Sequence, residues 1–133
     1  MPRNVKEALK LFEEFLKERD GKIIRAFPKH FNRHYYIVAK LYYRGAPFTA
    51  TFYLIFQRKW FESFSRYYNI KELACSINYE ILKWAIKAKV DRIIWINEAG
   101  EMYMIDPLLL HQLVLEHGWL RKTKKTGEMV AHV

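Results

Sequence analysis

Residues 34–59 read HYYIVAKLYYRGAPFTATFYLIFQRK, and their pattern decides the fold. Tyr35, Ile37, Ala39, Leu41 and Tyr43 alternate with His34, Tyr36, Val38, Lys40 and Tyr42. A period of two sends successive side chains to opposite faces of a strand. Arg44-Gly45-Ala46-Pro47 is a turn signal, and alternation resumes over 48–59, with Phe48, Ala50, Phe52, Leu54 and Phe56 on the apolar face. Thr49, Thr51, Tyr53, Ile55, Gln57 and Lys59 share the other face, so Gln57 and Lys59 stand side by side if the strand persists that far.

Working outward, residues 5–18 predict an amphipathic helix, because Val5, Ala8, Leu9, Phe12, Phe15 and Leu16 recur at helical spacing. Asn4 and Glu7 resemble a capping box, and Asp20-Gly21 a stop. Lys22 to Phe27 predicts a short strand ending before Pro28. After Trp60 the spacing of Phe61, Phe64 and Tyr67 predicts a helix. A second helical stretch follows from an N-cap at Ser76, with Ile77, Ile81, Trp84, Ala85 and Ala88 on one stripe. Arg92 to Asn97 and Glu101 to Ile105 read as a hairpin across Glu98-Ala99-Gly100. Asp106-Pro107 starts a last helix that Gly118 ends, and residues 119–133 form a basic tail or an edge hairpin. The order α-β-β-β-α-β-β-α predicts an α/β or α+β fold with a central mixed sheet flanked by helices.

The chain has 133 residues, enough for one hydrophobic core, so residues 1–133 are expected to form a single domain. At 51% hydrophobic and 28% charged it has the apolar surface that disordered chains lack. No apolar run reaches the roughly 18 to 20 residues of a membrane span, and acids within the first thirty residues argue against a signal peptide. The expectation is a soluble, cytoplasmic protein with no membrane partner. Cys75 is alone and makes no disulfide within the chain.

Lys and Arg number 23 against 14 Asp and Glu, a net charge of +9. That charge is local. Residues 1–20 carry five side chains of each sign and residues 72–133 eight of each, whereas residues 22–71 carry ten cations and one acid, Glu62. The same segment holds fifteen of the 22 aromatic residues. Cations interleaved with rings suit a polyanion with stackable bases, because phosphates release counterions to Lys and Arg while bases stack on rings. Nucleic acid is the expected partner. Lys29, His30, Arg33, His34, Lys40, Arg44, Arg58, Trp60 and Arg66 are the candidate contacts. An anionic membrane usually asks for a basic amphipathic helix, and this segment reads as strands.

The element order, with a hairpin whose second strand ends in Gln57-Arg58-Lys59, resembles the PD-(D/E)XK nuclease superfamily of restriction-endonuclease-like and archaeal Holliday-junction-resolvase-like enzymes. The similarity covers residues 5–105 as an order of elements and rests on three residues as sequence. It implies a restriction-endonuclease-like fold, DNA in preference to RNA, and a divalent ion, Mg²⁺ or Mn²⁺, in an active member. By resemblance Gln57 and Lys59 take the motif's acid and lysine positions, and Glu13 or Glu14 matches the first-helix acid of some members. The departure lies in the preceding strand, 34–43, which has no Asp or Glu, although a hard divalent ion wants carboxylate oxygen. The sequence therefore reads as a nucleic-acid-binding protein on a nuclease-like fold, without a cofactor. Alternatives are a metal-dependent nuclease acting on duplex or branched DNA, and an assembly protein whose aromatic strands form a homodimer interface.

Overall fold

A computed structural model describes residues 1–30, 33–59, 61–65, 70–117, 120–122 and 129–132; for 61–65, 70–74, 120–122 and 129–132 it describes the backbone alone. The elements are α1 (Val5–Lys17), β1 (Lys22–Lys29), β2 (His34–Tyr43), β3 (Ala46–Phe56), β4 (Phe61–Ser65), β5 (Ile70–Ala74), β6 (Ser76–Asn78), α2 (Tyr79–Lys87), β7 (Arg92–Ile96), β8 (Met102–Ile105), α3 (Pro107–His117), β9 (Leu120–Lys122) and β10 (Met129–His132). Five strands form the main sheet in the order β1-β2-β3-β7-β8. All its pairs are antiparallel except β3 with β7, which run parallel and so require the crossover that α2 supplies. With one parallel pair in five strands, the fold is α+β and not α/β, and it is a single domain.

The alternation of residues 34–56 produces the two faces of this sheet. Tyr35, Ile37, Ala39, Ala50, Phe52, Leu54, Ile94 and Ile96 turn to one side and pack against Ala8, Phe12 and Leu16 of α1. Phe12 is fully buried and meets Phe52 edge-on, with ring centroids 5.1 Å apart. Tyr53, Ile55, Ile93, Trp95 and Ile105 turn to the other side, against Leu82 and Ala85 of α2 and Leu110 and Val114 of α3. The β2–β3 connection is a two-residue turn with Arg44 at φ 50° and Gly45 at φ 80°, both left-handed, which matches the twist of the flanking strands. It pairs Tyr43 with Ala46 and sets the register for the whole hairpin.

The caps follow the residues. Asn4 Oδ1 accepts from Glu7 N at 3.0 Å at the start of α1, and Asp106 Oδ1 accepts from Leu108 N at 2.8 Å and Leu109 N at 3.1 Å ahead of Pro107.

Four expectations are corrected. β1 continues through Pro28, which pairs with Tyr35, because β1 is an edge strand and the N–H that proline lacks would face outward. Residues 61–65 are not helical: they form β4, antiparallel to β5, in a segment of Phe, Ser, Tyr and Ile whose helix propensity is modest. Asn78 replaces Ser76 as the cap of α2, its Oδ1 accepting from Glu80 N at 2.8 Å and Ile81 N at 3.3 Å, while Ser76 starts β6. β3 ends at Phe56, so Gln57 and Lys59 are not neighbours on one strand face. After α3 the backbone forms the β9–β10 hairpin, and β10 also pairs with β6.

Candidate nucleic-acid interface

Parallel strands β3 and β7 end together at Phe56 and Ile96, and the carboxyl end of β3 opens onto a cleft, at the edge where open sheets with crossover helices bind ligands. His34 begins β2 at the same edge, because β2 is antiparallel to β3. The first residues of α1 and the β6–α2 junction supply the other walls. The cleft encloses about 610 Å³ and is lined by Arg3, Asn4, Val5, Arg33, His34, Ile55, Phe56, Gln57, Arg58, Ser76, Ile77 and Asn78. Three arginines and no carboxylate stand among these described residues. A second hollow of about 440 Å³, lined by His30, Arg33, His34, Asn78, Glu80, Ile81 and Trp84, shares Arg33, His34 and Asn78 with the first. The two adjoin in one recess, whose described lining holds three arginines and one carboxylate, Glu80.

Beside it lies a hydrogen-bonded cluster, half-buried at His34 and exposed at His30. The Tyr53 side chain is fully buried, and its hydroxyl meets His34 Nδ1 at 2.8 Å and also His30 Nδ1. One hydroxyl has one proton, so between neutral rings it donates to one imidazole and accepts from the N–H of the other. The two rings thus take opposite tautomers. Trp84 closes the cluster edge-on, with ring centroids 5.5 Å from Tyr53 and 6.0 Å from Tyr36. Burial, helped by His30 and Arg33, lowers His34 to about 4; burial and Lys29 lower His30; and burial raises the Tyr53 phenol. The cluster is therefore neutral at neutral pH. The positive charge of the recess comes from arginine and lysine, and the histidines hold its shape.

The nominated pair does not form a catalytic unit. Gln57 Oε1 accepts from Ser76 N at 2.9 Å, and Gln57 Nε2 donates to the Lys59 carbonyl at 3.0 Å, so the side chain joins the end of β3 to β6. Lys59 is exposed beyond the strand end. Arg58 lies 3.6 Å from Glu98 across an exposed ion pair. Glu13 pairs with Lys17 at 3.5 Å, and Glu14 lines a separate hollow with Met1, Pro2, Glu7, Lys10, Leu11 and Gly100. Neither glutamate reaches the cleft lining. No group of three or more His, Cys, Asp or Glu side chains among the described residues is arranged to hold a metal. Three arginines with an amide oxygen already bonded to Ser76 do not fit Mg²⁺ or Mn²⁺. The acids of the second hairpin serve the turn: Asn97 Oδ1 accepts from Glu101 N at 2.9 Å, and Asn97 Nδ2 donates to Glu101 Oε1 at 3.0 Å. Burial raises the Cys75 thiol to about 12, which leaves it a core residue and not a nucleophile.

The structure divides the other candidate contacts. Lys29, His30, Arg33, His34 and Arg58 gather at or beside the recess. Arg44 sits at the opposite end of the β2–β3 hairpin, about 30 Å away at roughly 3.4 Å per residue, with Lys40 near that end. Trp60 and Arg66 lie outside the described residues. Arg3, Tyr53, Asn78 and Trp84 enter the site without having been singled out in the sequence. For Tyr53 a signal existed: the register set by Arg44-Gly45 puts Tyr53 opposite Tyr36, two pairs from His34 and on the same face.

No family model matches the chain, and comparisons with curated proteins and with solved structures found no match either. Among the described residues no helix is long and apolar enough to cross a membrane.

Proposed function

We propose that this protein binds nucleic acid on a nuclease-like fold that lacks metal-dependent cleavage. The observation that carries the reading is the cleft at the carboxyl end of β3, with Arg3, Arg33 and Arg58 on its walls and no carboxylate among its described lining residues. Guanidinium groups match phosphate oxygens with two parallel hydrogen bonds and keep their charge at any physiological pH. The antiparallel β1-β2-β3 meander followed by α2 and the parallel strand β7 supports the resemblance to the PD-(D/E)XK superfamily at the level of topology. That resemblance favours DNA as the ligand. The amide of Gln57 and the missing carboxylates support binding over hydrolysis.

Arg33 is exposed and lines both hollows, so Arg3→Gln/Arg33→Gln removes the charge with little risk to the core. A hydrogen bond to a charged group contributes about 1.5 to 3 kcal/mol, so the double variant weakens DNA binding at least about tenfold in fluorescence anisotropy. Unchanged affinity in the folded double variant would refute the assignment of the cleft.

A further inference from the structure

Helices α2 and α3 cover only part of their face of the main sheet. On β1 and β2 the same face runs on past them as four cross-strand rows: Lys22 beside Lys40, Arg25 beside Val38, Phe27 beside Tyr36, and Lys29 beside His34. Tyr42, two residues beyond Lys40, continues the face. Phe27 and Tyr42 are 42% and 46% exposed. Phe27 stacks on Tyr36 with centroids 6.3 Å apart, and Lys40 Nζ stands 5.7 Å from the Tyr42 ring. Lys22, Arg25, Lys29 and Lys40 are all exposed, and none of these rows contains a carboxylate. Two neighbouring acids are engaged elsewhere: Asp91 accepts from Thr51 N at 2.7 Å, and Glu80, in the hollow beside His34, pairs with Lys83 at 2.8 Å.

We infer that this open half of the sheet is a stacking platform for single-stranded nucleic acid, leading from the cleft at His34 to the far hairpin. The inference rests on the nucleic-acid-binding reading above and names the form of the ligand. From the His34 row to Tyr42 the platform is about 27 Å long at roughly 3.4 Å per residue. Cations at Lys22, Arg25, Lys29 and Lys40 follow a phosphate backbone, while the exposed rings of Phe27 and Tyr42 are open to unpaired bases. A duplex keeps its bases stacked on one another and cannot use the rings. A second copy of the chain is disfavoured, because a two-fold interface would set this cationic patch against itself. The platform also gives Lys40 a role that its distance from the cleft denies it there.

The test measures binding of the full chain to labelled oligothymidylate and to a duplex of the same length by anisotropy. Phe27→Leu/Tyr42→Leu keeps apolar bulk and removes two rings. It is expected to weaken single-strand binding at least about tenfold and leave duplex binding within about twofold. Lys22→Gln/Lys40→Gln alters only exposed side chains and is expected to flatten the single-strand salt slope by about 1.4, at about 0.7 per phosphate contact. If both variants bind the single strand like the parent while Arg3→Gln/Arg33→Gln weakens it, the platform is wrong and the cleft stands. If the parent binds neither oligonucleotide, both readings fall. A parent dimer that the Leu variant dissociates would overturn the platform and assign the face to a second copy.

Discussion

Tyr53 shows how one residue can organise a site without carrying its charge. In the sequence it is one aromatic in an alternating run. In the fold its buried hydroxyl fixes the tautomers of two histidines at the mouth of a basic cleft. Depressed histidines make stability depend on pH, with a definite sign. Above pH 6.5 His34 is neutral in both folded and unfolded chains. As pH falls from 6.5 towards 4 the unfolded chain takes up a proton that the folded chain refuses, so stability falls across that window and levels off below it. His30, also lowered, adds in the same direction. The urea midpoint is expected to drop between pH 6.5 and 4, and His34→Gln to make that drop shallower. An equally steep drop in His34→Gln would mean that His34 is not the group refusing the proton.

At the scale of elements, the β2–β3 hairpin is the part most clearly written in the sequence, because apolar alternation and a turn dipeptide agree on one register. Gly45 occupies a left-handed position, and a Cβ there would meet no atom within 4 Å. The cost of Gly45→Ala is therefore backbone strain alone, about 1 to 2 kcal/mol. Chemical denaturation should show that loss, and a variant as stable as the parent would argue against the left-handed turn. The caps Asn4 and Asp106 were readable for the same reason: each places an acceptor just before an apolar helical stripe. Residues 61–65 were misread because Phe61 and Phe64 fit a helical stripe with Tyr67, which lies outside the described residues, whereas the pairing of β4 with β5 depends on partners that spacing within one segment does not reveal. Ser76 and Asn78 both resemble caps, and the pairing of β6 with β10, some fifty residues distant, selects Asn78.

For the whole molecule, the charge of +9 divides into neutral flanks and a basic middle in the sequence, and the fold then redistributes the middle. Arg33 and Arg58 meet Arg3 from the neutral N-terminal flank at the cleft, while Lys40 and Arg44 are carried towards the other end of the sheet. The basic, aromatic character was visible in the sequence. Arg3 and Asn78 were not, because only the packing of α1 and the approach of β6 bring them to the end of β3. The same packing leaves Glu13 and Glu14 away from the cleft, paired with Lys17 or lining a separate hollow.

The most direct test is the salt dependence of DNA binding by the unmodified protein, measured with and without a chelator. Four cleft cations, Arg3, Arg33, Arg58 and Lys29, predict that log K falls against log salt with a slope of about 3 or steeper, at roughly 0.7 to 0.9 per phosphate, and that EDTA leaves it unchanged. A slope near zero, or binding that vanishes with the divalent ion, would contradict a phosphate-binding cleft built from arginine and lysine.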